Sequence, residues 1–145
     1  MSKDDLIKYW FDTAEEDWKT AEGLFDLGYY MQSLFYIHIT IEKYLKGLIV
    51  KNGFETPFDH NLLNLIDFAK IDLDNDQLSH MTEINTFNIR ARYDDYKRSF
   101  YKKATKEYTE GLYRKSSDID VAVIMKELKN ATPFISEIKK YGLTI

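Results

Sequence analysis

YYMQSLFYIHITIEKYLKGLIVK, residues Tyr29–Lys51, decides the fold. Leu34, Ile37, Ile41, Leu45 and Leu48 recur at steps of three and four, the spacing of one helix face. At 1.5 Å per residue the stretch makes about six helical turns. Phe35, Tyr36 and Ile39 spread apolar surface to other sides, which marks the buried centre of a bundle. Its second half nonetheless carries Glu42, Lys43 and Lys46. Any functional reading starts from those charges and from what the rest of the chain brings to them.

Working outward, the preceding segment predicts a helix from Asp4 or Asp5 to Leu27, with Gly28 as a C-terminal stop. Leu6, Trp10, Ala14, Asp17, Ala21 and Leu24 share a stripe. Gly28 leaves a tight connection, so the two helices run antiparallel. Asp17 on that apolar stripe needs a partner, and Lys43 or Lys46 on the second helix is expected to supply it. After the stop at Asn52–Gly53 comes a loop with Pro57. A short third helix is expected to open at Asp59 or His60, and a fourth to run from about Asp76 to Tyr93. On that fourth helix Asn85, Asn88 and Arg92 share a polar band. Residues 93–117 read as a basic, tyrosine-rich irregular arm with one helix over 103–114. A last helix is expected from Ser117, kinked at Pro133. No alternating pattern predicts a strand.

The 145 residues predict one domain, 1–145, with an irregular arm at 96–117. Apolar residues form 44% of the chain and charged residues 30%, enough for a folded core. The absence of cysteine excludes disulfides and thiolate metal sites. The start lacks the apolar core of a signal peptide, and no apolar run reaches the ~20 residues of a membrane span, so a cytoplasmic protein with no membrane contact is expected. The net charge of −4 conceals an asymmetry. Residues 1–26 hold eight acids and three lysines, whereas residues 90–115 hold nine basic residues and four acids. A basic segment on an acidic chain reads first as a solvated face, or as one neutralised by the acids of a neighbouring helix; the functional alternative is a phosphate-bearing partner.

His38, His60 and His80 are scattered and suggest no metal site. His38 lies four residues before Glu42, and Glu42 four before Lys46, so each pair can touch on one helix face. Arg90, Arg92, Asp94 and Asp95 bracket Tyr93. Arginines at a helix C-terminus complement its dipole, but two guanidinium groups beside a tyrosine also suit phosphate and base.

Three segments together resemble the HEPN family (higher eukaryotes and prokaryotes nucleotide-binding domain). They are Trp10-x3-Ala14-x2-Asp17-x3-Ala21-x2-Leu24; Gly28-Tyr29-Tyr30 leading to Ile41-Glu42-Lys43-x2-Lys46, then His60-x-Leu62-x2-Leu65; and Ile84-Asn85-x3-Ile89-x2-Arg92-Tyr93-Asp94. The resemblance implies an all-α, up-and-down bundle of four to five helices that dimerises. Many family members are metal-independent ribonucleases that place a histidine about four to six residues after an arginine. Here no histidine follows His80. The chain resembles instead the Arg-Tyr branch, whose members accompany small nucleotidyltransferases in toxin–antitoxin-like pairs. The expectation is a homodimer that binds a nucleotide, RNA or another phosphate-bearing ligand without cofactor, metal or catalytic residue. Its candidate ligand residues are Arg90, Arg92, Tyr93, Asp94, Lys43, Lys46, Glu42, His60, Asn85 and Asp17. The alternatives are an RNA-cleaving toxin in which Tyr96 or Asp95 replaces the histidine, and a purely structural dimer.

Overall fold

The computed structural model describes residues 2–128, with side-chain burial given as far as Asp118. The expected kink at Pro133 lies outside the described residues. Among the described residues seven helical segments follow one another: α1 (Lys3–Asp26), α2 (Tyr30–Lys51), α3 (Leu62–Phe68), α4 (Asn75–Asn85), α5 (Phe87–Arg90), α6 (Ser99–Lys103) and α7 (Lys106–Leu128). The described residues contain no strand, and the architecture is all-α. None of their helices is long and apolar enough to cross a membrane.

Helix α2 touches each of the other six. Leu34, Ile37, Ile41, Leu45 and Leu48 are all buried, as the spacing predicts. Helix α1 starts on a capping box, in which the Asp5 amide donates to Ser2 Oγ and the Ser2 amide to Asp5 Oδ2. It ends where Gly28 takes φ +84°, and the Tyr29 amide donates back to the Leu24 carbonyl. The chain then reverses, and Ser33 Oγ donates to the Ala21 carbonyl at 2.8 Å, fastening the start of α2 to α1. The deepest face of α1 is Ile7, Phe11, Ala14 and Ala21. Ala14 and Ala21 belong to the predicted stripe, whereas in the first half of the helix the buried face is shifted by one residue to Ile7 and Phe11, leaving Leu6 and Trp10 partly buried at its edge.

Three boundaries differ from the sequence reading. Helix α3 begins at Leu62 because Asn61 is its N-cap, accepting from the Leu63 and Asn64 amides. His60 therefore stays outside the helix. The expected fourth helix is broken at Thr86, whose hydroxyl donates to the Glu83 carbonyl; a hydroxyl bonded back to the preceding turn competes with the backbone ladder. Helix α7 starts at Lys106, where Thr105 Oγ1 accepts from the Tyr108 amide, and runs through Gly111 and Ser117. Ser117 is consequently a mid-helix residue and not a cap. The buried face of Thr109, Leu112 and Ser116 carries the helix past the glycine, because tertiary packing outweighs a propensity penalty of about 1 kcal/mol.

Candidate functional site

Phe35, His38 and Glu42 follow one another on α2 at steps of three and four, so they share a face. The end of α5 and the loop before α3 converge on it. Arg92 projects from just beyond α5. Its Nε donates to the Asn88 carbonyl at 2.8 Å and an Nη to Asn88 Oδ1 at 3.2 Å. The guanidinium lies 5.3 Å from the Phe35 ring centre and 5.4 Å from that of Tyr93. Both Arg92 and Tyr93 are exposed. Among the described residues no carboxylate pairs with Arg92, in contrast to Lys8, Lys43, Lys46 and Arg114.

Two turns further along α2, Glu42 is buried and acts as a hub. Its Oε2 receives Lys46 Nζ at 3.1 Å, and its two oxygens lie 3.0 and 3.1 Å from His60 Nδ1. Lys46 is itself buried, 5.5 Å from the Trp10 ring centre. His60 keeps 67% of its side chain in solvent. Between the two centres, His38 is fully buried, with Nδ1 4.0 Å from Glu42 Oε1. Neither of its ring nitrogens makes a hydrogen bond of good geometry. Burial pushes its pKa down to about 4; the Glu42 charge and the His60 backbone oppose that, while the charges of His60 and Arg92 reinforce it. His38 is therefore neutral at neutral pH, and it feels the charges of both Arg92 and His60.

The other sequence candidates separate from this face. Lys43 Nζ meets Asp17 Oδ2 at 2.6 Å, an ion pair across α1 and α2 whose angle is not that of a hydrogen bond. Lys46 is taken up by Glu42, so neither lysine adds free charge beside Arg92. Asn85 closes the junction of α3 and α4: its Oδ1 accepts from the Leu62 amide at 2.8 Å and its Nδ2 donates to Asn61. The predicted band of Asn85, Asn88 and Arg92 is thereby split at the Thr86 break. Arg90 leaves Arg92 as well, lying 4.7 Å from the Phe100 ring centre and bonding Thr86 Oγ1 at 3.4 Å. Asp94 accepts from the amides of Asp95, Phe100 and Tyr101. Desolvation raises its pKa, but those donors outweigh it and hold the carboxyl below its usual range. Asp94 thus organises the start of α6. Asp95 does similar work on the Ser99 amide, and Tyr96 is almost fully exposed. Among the described residues no cluster of His, Asp and Glu has the makings of a metal site.

Two features escaped the sequence reading. His60 reaches Glu42 across 18 residues of chain. The second is His80, buried with its Nε2 3.0 Å from Ser116 Oγ and, through burial first and the Lys115 charge second, a pKa lowered to about 4. His38 and His80 together set an acid limit on the fold. Between pH 6.5 and about 4 the unfolded chain binds protons at these positions and the folded chain does not. Stability accordingly falls as pH drops through that window and is unaffected by them above it. Each histidine contributes a slope of about 1.4 kcal/mol per pH unit within it. Urea midpoints measured from pH 7.5 to 4.5 are expected to fall below pH 6.5, and His80→Gln to flatten the descent; a flat profile would contradict the buried neutral rings.

The HEPN domain family profile matches residues 7–136 of this chain. Among solved structures, the crystal structure of TT1696 from Thermus thermophilus is similar in fold, with a TM-score of 0.73 at 22% identity over 84% of this chain and 98% of that one. No curated protein matches.

Proposed function

This chain belongs to the HEPN domain family, and from that premise we propose that it binds a nucleotide or other phosphate-bearing ligand at the Arg92–Tyr93 face, as a homodimer. The observation that carries the reading is the state of Arg92. Its guanidinium is exposed, fixed by Asn88, set against two aromatic rings and free of a carboxylate. A guanidinium held in that way offers paired donors to a phosphate, and exposed Tyr93 offers a face to a base. Leu27, Tyr29, Ile89 and Tyr93 are large apolar side chains left more than half exposed, which supports a second copy or another protein as cover. The family resemblance supports a small nucleotidyltransferase as the further partner.

Calorimetric titration of ATP, GTP and a short single-stranded RNA tests the reading. Arg92→Ala is expected to weaken the bound ligand about tenfold or more, because a charge-assisted bidentate contact is lost. RNA would also engage Lys97, Lys102 and Lys103, all exposed, so its affinity falls more steeply with salt than that of a mononucleotide. Millimolar or weaker binding of all three, unchanged in Arg92→Ala, would leave only the structural dimer.

A further inference from the structure

We infer that His60, held by Glu42, reads a hydroxyl of the ligand, so that the site prefers ribose-bearing phosphates to their deoxy counterparts. The inference rests on the binding reading above and adds a second anchor to it. Glu42 is buried and accepts from Lys46. A lysine ammonium only donates, so Glu42 Oε2 accepts from it. His60 Nδ1 lies 3.0 and 3.1 Å from the two oxygens of the same carboxylate, which fixes the ring against α2. Nδ1 is thereby occupied, and Nε2 is the ring nitrogen left for a ligand. With 67% of the side chain in solvent, that nitrogen is available to a ligand. A ribose hydroxyl both donates and accepts, so it can pair with that nitrogen whichever proton the ring carries.

The placement of the two anchors supports the same ligand. Arg92 sits over Phe35 and His60 over Glu42, seven residues apart on one face of α2. Two helical turns separate them, about 10 Å along the axis. A nucleoside polyphosphate is long enough to span that separation, with its terminal phosphate at Arg92 and its sugar near His60. His38 lies between them on that face of α2 and is fully buried. A free inorganic phosphate fills one anchor; a ribonucleotide fills both. The 2′-hydroxyl is also the group by which a protein distinguishes RNA from DNA.

The test compares ATP, 2′-deoxy-ATP and 3′-deoxy-ATP by calorimetry on the full chain, with His60→Ala and Arg92→Ala. His60 is largely exposed, so its truncation leaves the bundle intact. The parent is expected to bind ATP about fivefold tighter than at least one deoxy analogue, the range of a single net hydrogen bond. His60→Ala is expected to bring ATP down to the level of that analogue and leave the analogue itself unchanged. Arg92→Ala weakens all three alike. Equal binding of the three by the parent, or a ribose preference that survives in His60→Ala, overturns the inference while leaving phosphate binding intact. Absence of binding by any of the three defeats the binding reading and this inference with it.

Discussion

Glu42→Ala is expected to destabilise the fold by about 3–5 kcal/mol, a large share of the marginal stability of a domain this size. The cause is not the loss of one ion pair but the state of the lysine left behind. Lys46 has 9% of its side chain exposed and Glu42 7%. Their attraction offsets the desolvation of both charges only while both are present. Removing the carboxylate strands an ammonium between α1 and α2, beside Trp10. Lys46→Met in the Glu42→Ala background is therefore expected to recover most of the loss, since an apolar chain of similar length replaces the stranded charge. The exposed Lys8–Asp12 pair provides the contrast: it too is at i,i+4, at 2.6 Å, yet Asp12→Ala is expected to change stability by no more than about 0.5 kcal/mol. Urea midpoints at unchanged m-value measure all three. A Glu42→Ala effect as small as that of Asp12→Ala would show that water reaches the buried pair and that Glu42 is no fixed platform for His60.

The two lysines of α2 show where sequence periodicity reaches and where it stops. An antiparallel return after Gly28 brings Asp17 opposite the second half of α2, and the stripe names Lys43 and Lys46 as its partners. The choice between them depends on one helical step, which the structure resolves toward Lys43. The i,i+4 spacing of Glu42 and Lys46 was equally legible, because it needs only one helix. His60 was not. Its contact with Glu42 depends on a loop conformation set by the cap at Asn61 and by Asp59, which accepts from the Asn61 amide and from Asn64 Nδ2. A histidine read as the first residue of α3 would point wherever that helix sends it; one residue outside the cap, it folds back on α2. The arginines illustrate the same limit. Arg90 and Arg92 look equivalent in sequence, yet a side chain two residues along a helical turn faces nearly the opposite way. The break at Thr86 turns Arg90 onto Phe100, and Arg92 lies over Phe35. The start of α7 was missed for a different reason. Ser117 has cap-like chemistry, but Ser116 beside it is fully buried, and burial of that face decided the matter.

Gly47 carries the last expected result. A glycine in the middle of a helix ordinarily costs about 1 kcal/mol against alanine, and nothing in the sequence of α2 explains its presence. The structure does: a Cβ built there collides with the ring carbons of Phe11, which lies against the α2 backbone. Phe11 is 2% exposed, with Tyr44 5.7 Å away centre to centre, so it has little room to retreat. Gly47→Val is therefore expected to cost about 1–3 kcal/mol as overpacking, even though valine is the better helix former. Phe11→Ala alone is expected to cost about 3–5 kcal/mol, because a phenyl-sized cavity opens against α2. The two changes together are the informative measurement. The valine methyls occupy part of the space the ring vacates, so the double variant is expected to be more stable than the sum of the single effects by about 1–2 kcal/mol, within the range seen for residues in contact. Strict additivity in that cycle would mean that the ring and the glycine do not meet. The close approach of α1 to α2, which also holds Asp17 within reach of Lys43, would then need another cause.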